Sequence, residues 1–415
     1  MTTMTAASGG GGERMGEVRA IALVSSAHFV NHFQNLVLPP LFPLLKAKLG
    51  IGFVELGFAL TVANVLAVAA QLPVGFLVDR VGSRRMLVLG LLVSGLAFVG
   101  FGLAPSYPHL LIAMALIGLS NSVFHPSDYA ILSAVIPPSR VGRAFSIHTF
   151  SGFLGNAVAP IALLAVSASF GLGVALVAAG ALGLLALLPL SAAKGLDAAS
   201  AHGVPMHGGG ARGGMTAVLT PTIIGLTGFF ALLSLSGSGI SNFSVVALGN
   251  AFGTPLSVAN FALTAYLTAQ AFGVLAGGFV ADMTRRHAEV AALGYAVNAC
   301  IVLAIGTLGL PALPLVLAMS AAGLLGGLIM PSRDMLVRAA APPGAVGRTF
   351  GVVTSGFNIG GMVGPLMFGF LMDHGAPRAV FGASVVVMIL VAVVAIVGDR
   401  RAATRGRRAA TEAAE

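Results

Sequence analysis

The chain has 415 residues, of which 57% are hydrophobic and only 8% charged, and its formal net charge is +9. Soluble domains carry about 25% charged residues, so this composition excludes a protein that faces water on all sides and calls for lipid as part of the solvent. The basic residues punctuate apolar runs and form no contiguous basic domain, which excludes a nucleic-acid binder and matches them to the anionic headgroups of a bilayer.

A spanning helix needs ~20 mostly apolar residues, and the chain accommodates twelve with short connections. Residues 1–19 read as a disordered cytoplasmic tail. The first apolar run, 20–45, contains His28, Asn31, His32, Gln34 and Asn35 and is too long and too polar for the core of a cleavable signal peptide. Its Ser25, His28, Asn31, His32 and Asn35 fall within a ~120° arc at helical spacing, so this stripe is expected to line a cavity. Further spans follow at 55–77, 86–104, 108–136, 143–168 and 171–190. Between the second and third lies GFLVDRVGSRR (75–85). Gly75 there lets helices approach closely, Asp79 ends the helix, and Arg80, Arg84 and Arg85 stay on the cytoplasmic side. The fourth span carries a stripe of Asn121, His125 and Asp128. An ionisable group at bilayer depth is costly unless it meets a cavity or a partner.

Residues 191–216 are rich in Gly, Ala and His and read as a flexible cytoplasmic linker, with His202 and His207 solvated. The second half, 217–398, gives spans at 217–248, 257–280, 289–308, 311–338, 348–371 and 376–398, followed by a basic cytoplasmic tail over 399–415. GFVADMTRRH (278–287) repeats the earlier loop with Gly278, Asp282, Arg285 and Arg286. Ser234, Ser238, Ser241 and Asn242 form a milder polar stripe. Tyr266, Gln270 and Asn358 offer hydrogen bonds to a ligand. Arg333 lies inside the tenth span, and Asp334 is expected to pair with Arg338 one turn on.

The two halves are related by a repeat. Residues 126–160 align with 331–365 without a gap at a shift of 205 positions. Pro126/Pro331, Ser127/Ser332, Pro137/Pro342, Pro138/Pro343, Gly142/Gly347, Arg143/Arg348, Gly155/Gly360 and Pro160/Pro365 are among the matches. Two parallel six-helix halves related by an axis along the membrane normal form a transporter architecture. The fold class expected is therefore an all-α membrane protein with twelve transmembrane helices in two pseudo-symmetric six-helix bundles. Under the same shift Asp128 and Arg333 are equivalent, which places them on opposite sides of a central pathway as a gate pair, makes Arg333 an anchor for an anionic group, or makes the two a permanent structural ion pair. With both termini in the cytoplasm, only Lys46, Lys48 and Arg378 of the 22 Lys and Arg lie outside, with Arg333 in a helix. That bias fixes the orientation in an inner (plasma) membrane.

These motifs resemble the major facilitator superfamily. The 75–85 segment is similar to its signature loop, keeping Gly75, Asp79, Arg80, Gly82, Arg84 and Arg85, with Ser83 in place of a basic residue. The resemblance implies that the loop is part of a conformational gate. A narrower resemblance, over about 25–160, is to fosmidomycin-resistance-type efflux proteins. It rests on His28 and Asn31 and on Phe124-His125-Pro126, with His32 where that group has an acid. The antiporter-type glycine pattern is intact only as Gly356, Gly360, Gly364 and Pro365.

The function expected is secondary transport of a small organic compound by alternating access, as proton-coupled efflux, with Asp128 and the histidines at 28, 32 and 125 as the titratable groups. Uptake of an organic anion through Arg333 is the rival reading, and a non-transporting sensor or assembly factor a third. No enzyme constellation, cofactor or metal site is expected, because these histidines lack acidic or thiolate companions. The partners are the substrate, protons and the bilayer, with the monomer as the working unit.

Overall fold

A computed structural model describes residues 9–137, 139–193, 196, 220–342 and 346–412. Most of the expected linker, with His202 and His207, lies outside the described residues. Helices account for nearly all of the described chain: α1 (Gly9–Asn35), α2 (Phe42–Leu49), α3 (Phe53–Val81), α4 (Ser83–Leu103), α5 (Tyr107–Val135), α6 (Val141–Phe170), α7 (Leu172–Ala192), α8 (Pro221–Ser238), α9 (Ser244–Phe252), α10 (Leu256–Met283), α11 (His287–Leu308), α12 (Ala312–Ala340), α13 (Val346–Asp373) and α14 (Pro377–Glu412). Among the described residues, eleven helical stretches are long and apolar enough to cross a membrane. The first predicted span is not among them. Its helix, α1, has 27 residues, about 40 Å at 1.5 Å per residue, but its His and Asn stripe lowers its mean hydropathy.

Local chemistry explains where the helices differ from the sequence expectation. The run 20–45 breaks after Asn35, because Pro39 and Pro40 cannot continue the hydrogen-bond ladder, and a short 3-10 turn leads into α2. The run 217–248 is interrupted by a π-turn at Gly239–Phe243 between α8 and α9. At its start, the Thr220 side chain caps the Ile223 amide and Pro221 fills the first helical position. Helix α1 starts at Gly9, inside the segment expected to be a tail, where Glu13, Arg14, Met15 and Val18 are helix-compatible. Helix α14 continues to Glu412 through the Ala- and Arg-rich end for the same reason.

The chain forms two compact units. The first comprises Met1–Val37, Leu66–Asn156 and Val166–Met206, and the second Leu38–Val65, Ala157–Ala165 and His207–Glu415. Residues 38–65 and 157–165, which sequence assigns to the first half, thus cluster with the second unit. Glycines bring the backbones together within each unit. In the first, Gly155 faces the Phe29 carbonyl, Gly180 the Gly95 carbonyl and Gly102 the Gly173 carbonyl, so close that a Cβ would not fit. In the second, Gly356 and Gly360 face the carbonyls of Thr227 and Ala231, and Gly323 and Gly327 those of Tyr266 and Gln270. These contacts fix α1 on α6 and α4 on α7, then α13 on α8 and α12 on α10, by the small-residue packing available in lipid.

Candidate functional site: a histidine and aspartate cluster

In the first unit, α1, α5 and α6 meet over four imidazoles and one carboxyl. His28 (α1) stacks on His148 (α6), with ring centroids 3.8 Å apart and planes 14° apart. His32 lies 4.4 Å from His28, and His125 (α5) 5.5 Å from it. Asp128, one turn beyond His125, places Oδ2 3.5 Å from His148 Nε2, and both side chains are fully buried. Gly152 makes the space: a Cβ there would come within 2.6 Å of His28 Cε1 and 3.0 Å of His32 Cδ2.

Hydrogen bonds set the nitrogen roles. The His28 Nδ1–H donates to the His148 carbonyl at 2.9 Å, so in the neutral ring Nε2 carries the lone pair. Asn156 Nδ2 donates to His32 Nδ1 at 3.1 Å. His28 Nε2, both His148 ring nitrogens and both Asp128 oxygens are buried without a hydrogen-bond partner. Unpaired buried polar atoms are costly, so the cluster is an unfinished polar core.

The expected stripe on α1 faces this cluster. Ser25, His28 and Asn31 are buried, and Asn35 Nδ2 donates to Asn31 Oδ1 and, at 3.1 Å, to Asn121 Oδ1 on α5. His125 is exposed, and His32 and Asn121 are half-buried. His148 escaped the sequence reading. Its signal was a small-and-polar row at helical spacing: His148, Ser151, Gly152, Gly155 and Asn156. The expectation that the histidines have no acidic companion is corrected by Asp128, which reaches a histidine through α6.

The second unit holds the other candidates in separate groups. Arg333 Nε donates to Asp334 Oδ1 at 3.0 Å, so the expected bond of Asp334 to Arg338 gives way to one with its own neighbour. The guanidinium carbon lies 5.0 Å from the ring centres of both Phe230 and Phe357. Tyr266 Oη, Gln270 Nε2 and Asn298 Nδ2 converge on Gly326, each within 4.0 Å of where its Cβ would stand. Asn298, also buried, was not singled out from sequence. Asn242 donates to Ser238 Oγ inside the π-turn region, and Asn358 is half-buried on α13.

At the α3–α4 turn, Asp79 and Arg80 in the last turn of α3 and Arg85 in the first turn of α4 are exposed, while Arg84 Nη1 donates to the Ser191 carbonyl at the end of α7, at 2.6 Å. Gly82 has φ 98°, a conformation that side chains disfavour, which accounts for a glycine there. The close approach expected at Gly75 and Gly278 is absent, since a Cβ on either meets nothing within 4 Å. The approach is made one residue earlier in the second loop, where Gly277 faces the Leu328 carbonyl. Asp79 sits within the last turn of α3 instead of ending it. Asp282, Arg285 and Arg286 are exposed, with Arg286 paired to Glu289 at 3.4 Å.

A seam in the second unit has no forerunner in the sequence reading. Asp373, the last residue of α13, accepts from the Phe53 and Val54 amides at 2.9 and 2.7 Å and pairs with Lys46 at 3.3 Å. Thr61 Oγ1 donates to the Met362 carbonyl at 2.8 Å and Asn64 Nδ2 to the Gly361 carbonyl at 3.0 Å. Between them Gly57 lies against the Pro365 carbonyl.

The family model described as Major Facilitator Superfamily matches residues 24–223 and 224–414, nearly the whole chain in two parts. The chain belongs to the Major Facilitator Superfamily. It is similar to the fosmidomycin resistance protein of Escherichia coli (strain K12), with 24% identity over 87% of this chain and 88% of that one. Uncharacterized MFS-type transporter YfnC of Bacillus subtilis (strain 168) is 29% identical over 34% of each chain, so that match spans about a third of its length. The Na(+), Li(+), K(+)/H(+) antiporter of Planococcus maritimus is 32% identical over 29% of each. A solved bacterial homologue of the human lysosomal transporter Spinster, in an inward-facing and occupied conformation, superposes with a TM-score of 0.76 at 16% identity, covering 92% of this chain and 96% of that one. The fold is therefore the twelve-helix superfamily fold, and α1 is its first spanning helix despite its polarity. As a superfamily member the protein is a multi-pass membrane transporter of small molecules and not an enzyme.

Proposed function

We propose that the protein exports a small organic compound by alternating access, driven by proton influx, from a cytoplasmic membrane in which both termini face the cytoplasm and the monomer is the working unit. The observation that carries this reading is the α3–α13 seam. It is built from side-chain bonds to backbone atoms, the Lys46–Asp373 ion pair and glycine contacts, so it can part and re-form. We assign it as the gate away from the cytoplasm and the 75–85 and 278–287 loops, with Asp79 and Asp282, as its cytoplasmic counterparts. We assign cargo contacts within each unit: in the first the polar groups of α1 and α5, in the second Tyr266, Gln270, Asn242, Asn358 and Arg333. Export is supported by the similarity to a fosmidomycin resistance protein over most of both chains. The proton is supported by the shorter similarity to an H(+) antiporter.

The test is flux in liposomes of purified protein, with fosmidomycin as first probe and an imposed pH gradient as the drive. Movement of the probe against its gradient only when the pH gradient is present is the expected result. Flux indifferent to the pH gradient removes the proton, and no movement of fosmidomycin removes that compound as cargo. A second reading, uptake of an organic anion, is favoured by Arg333. Only its Nε is engaged by Asp334, and the planar fork suits a carboxylate or phosphate. Inward flux of the probe on the same gradient would select it.

A further inference from the structure

We propose that His28, His125 and His148 form a binding site for a transition-metal dication of the Zn2+ type, with Asp128 supporting it from behind His148. One ligand atom from each of the three histidines lies within 4.8 Å of the others. Tetrahedral coordination at ~2.05 Å needs nitrogens about 3.4 Å apart, so ring swings of about an ångström close the set.

The surroundings of each nitrogen argue for a metal more than for plain packing. A metal-bound imidazole almost always donates its second N–H to a carbonyl or carboxylate, which fixes the tautomer and orients the ring. His28 does so through Nδ1 to the His148 carbonyl at 2.9 Å, and its Nε2 is left buried without a partner. His148 turns Nε2 to Asp128 at 3.5 Å, and its Nδ1 is likewise buried and unpartnered. Two free nitrogens thus stand on one stacked pair, each backed by an oxygen acceptor. His125 is exposed and supplies both a third ligand and a way in. A fourth position stays open for water. Gly152 holds the space in which His28 and His32 stand.

The inference does not rest on the transport reading, because binding is measured on the protein at rest. Tag-free protein in detergent is titrated with Zn2+ by calorimetry and with Co2+ by visible absorption, which reports a tetrahedral site. We expect one ion per chain and a rise in unfolding temperature on adding Zn2+. His28→Gln and His148→Gln should each weaken binding at least about tenfold, and Asp128→Asn by about 10–100-fold, the range for losing the hydrogen-bond partner of a metal-bound imidazole. The double variant His202→Gln, His207→Gln should bind as wild type. If His148→Gln does not fold, His125→Gln at the exposed ligand carries the same expectation. Absence of stoichiometric binding, or binding that survives His125→Gln and His28→Gln, overturns the proposal.

Discussion

The same slot of the repeat is filled in opposite ways in the two units. Asp128 and Arg333 are equivalent at the shift of 205 positions, as are His148 and Val353, and Gly152 and Phe357. In the first unit the charge is an acid, fully buried, with one imidazole for company and both oxygens unbonded. In the second it is a base, 11% exposed, bonded to its sequence neighbour and faced by two aromatic rings. Where Gly152 leaves room for imidazoles, Phe357 fills the room and covers the guanidinium. The repeat thus keeps the helix frame while one copy shelters its charge under two rings, with Nε bonded, and the other leaves buried ring nitrogens and carboxyl oxygens open. The open one is where a ligand has something to gain.

The most severe way to break this difference is to move the second unit's solution into the first. Gly152→Phe puts a ring where a Cβ alone comes within 2.6 Å of His28. We expect a loss of several kcal/mol, as for overpacking or a displaced polar network, read as loss of monodisperse protein in detergent. Next, His148→Leu strands the Asp128 carboxyl. Leaving a buried polar group without its neighbour costs about 1–3 kcal/mol, and the double variant with Asp128→Leu should recover most of it. A double-mutant cycle on thermal unfolding decides this, and additive losses would deny the pairing.

In the second unit the expected effects are smaller. Phe357→Gly removes one of two aromatic faces from Arg333, worth about 0.5–2 kcal/mol, and should leave Arg333 more accessible to a carboxylate. Chemical modification of arginine with and without the Phe357 ring measures that accessibility. Asp373→Asn keeps the shape of the seam but removes the charge at the α3 N-terminus and the bond to Lys46. Both partners are partly solvated, so the cost is about 0.5–1 kcal/mol. Faster labelling of a cysteine introduced at Val54 is the expected signature.

The helix count, the repeat and the polar face of α1 were legible because lipid imposes long apolar runs and makes each exception conspicuous. His148 was not, because a lone histidine in an otherwise apolar run looks like a tolerated exception until its row of small and polar neighbours is traced. The breaks at Pro39 and at Gly239–Phe243 were hidden for a different reason, since hydropathy does not register backbone geometry. The seam was beyond reach altogether. Asp373 meets residues 319 to 327 positions away in the chain, and nothing in either segment names the other.

That seam has a consequence for how the molecule responds to its medium. Its bonds join hydroxyl, amide and carboxylate groups to backbone N–H and C=O groups, and an ammonium to a carboxylate, all of which water satisfies nearly as well. Parting it therefore exchanges protein partners for hydration at little net enthalpy, and the barrier is set by how readily water enters. Transport should slow as water activity is lowered by an excluded osmolyte such as sucrose, even with the driving gradient held fixed. The molecule would then act as an osmometer as well as a carrier.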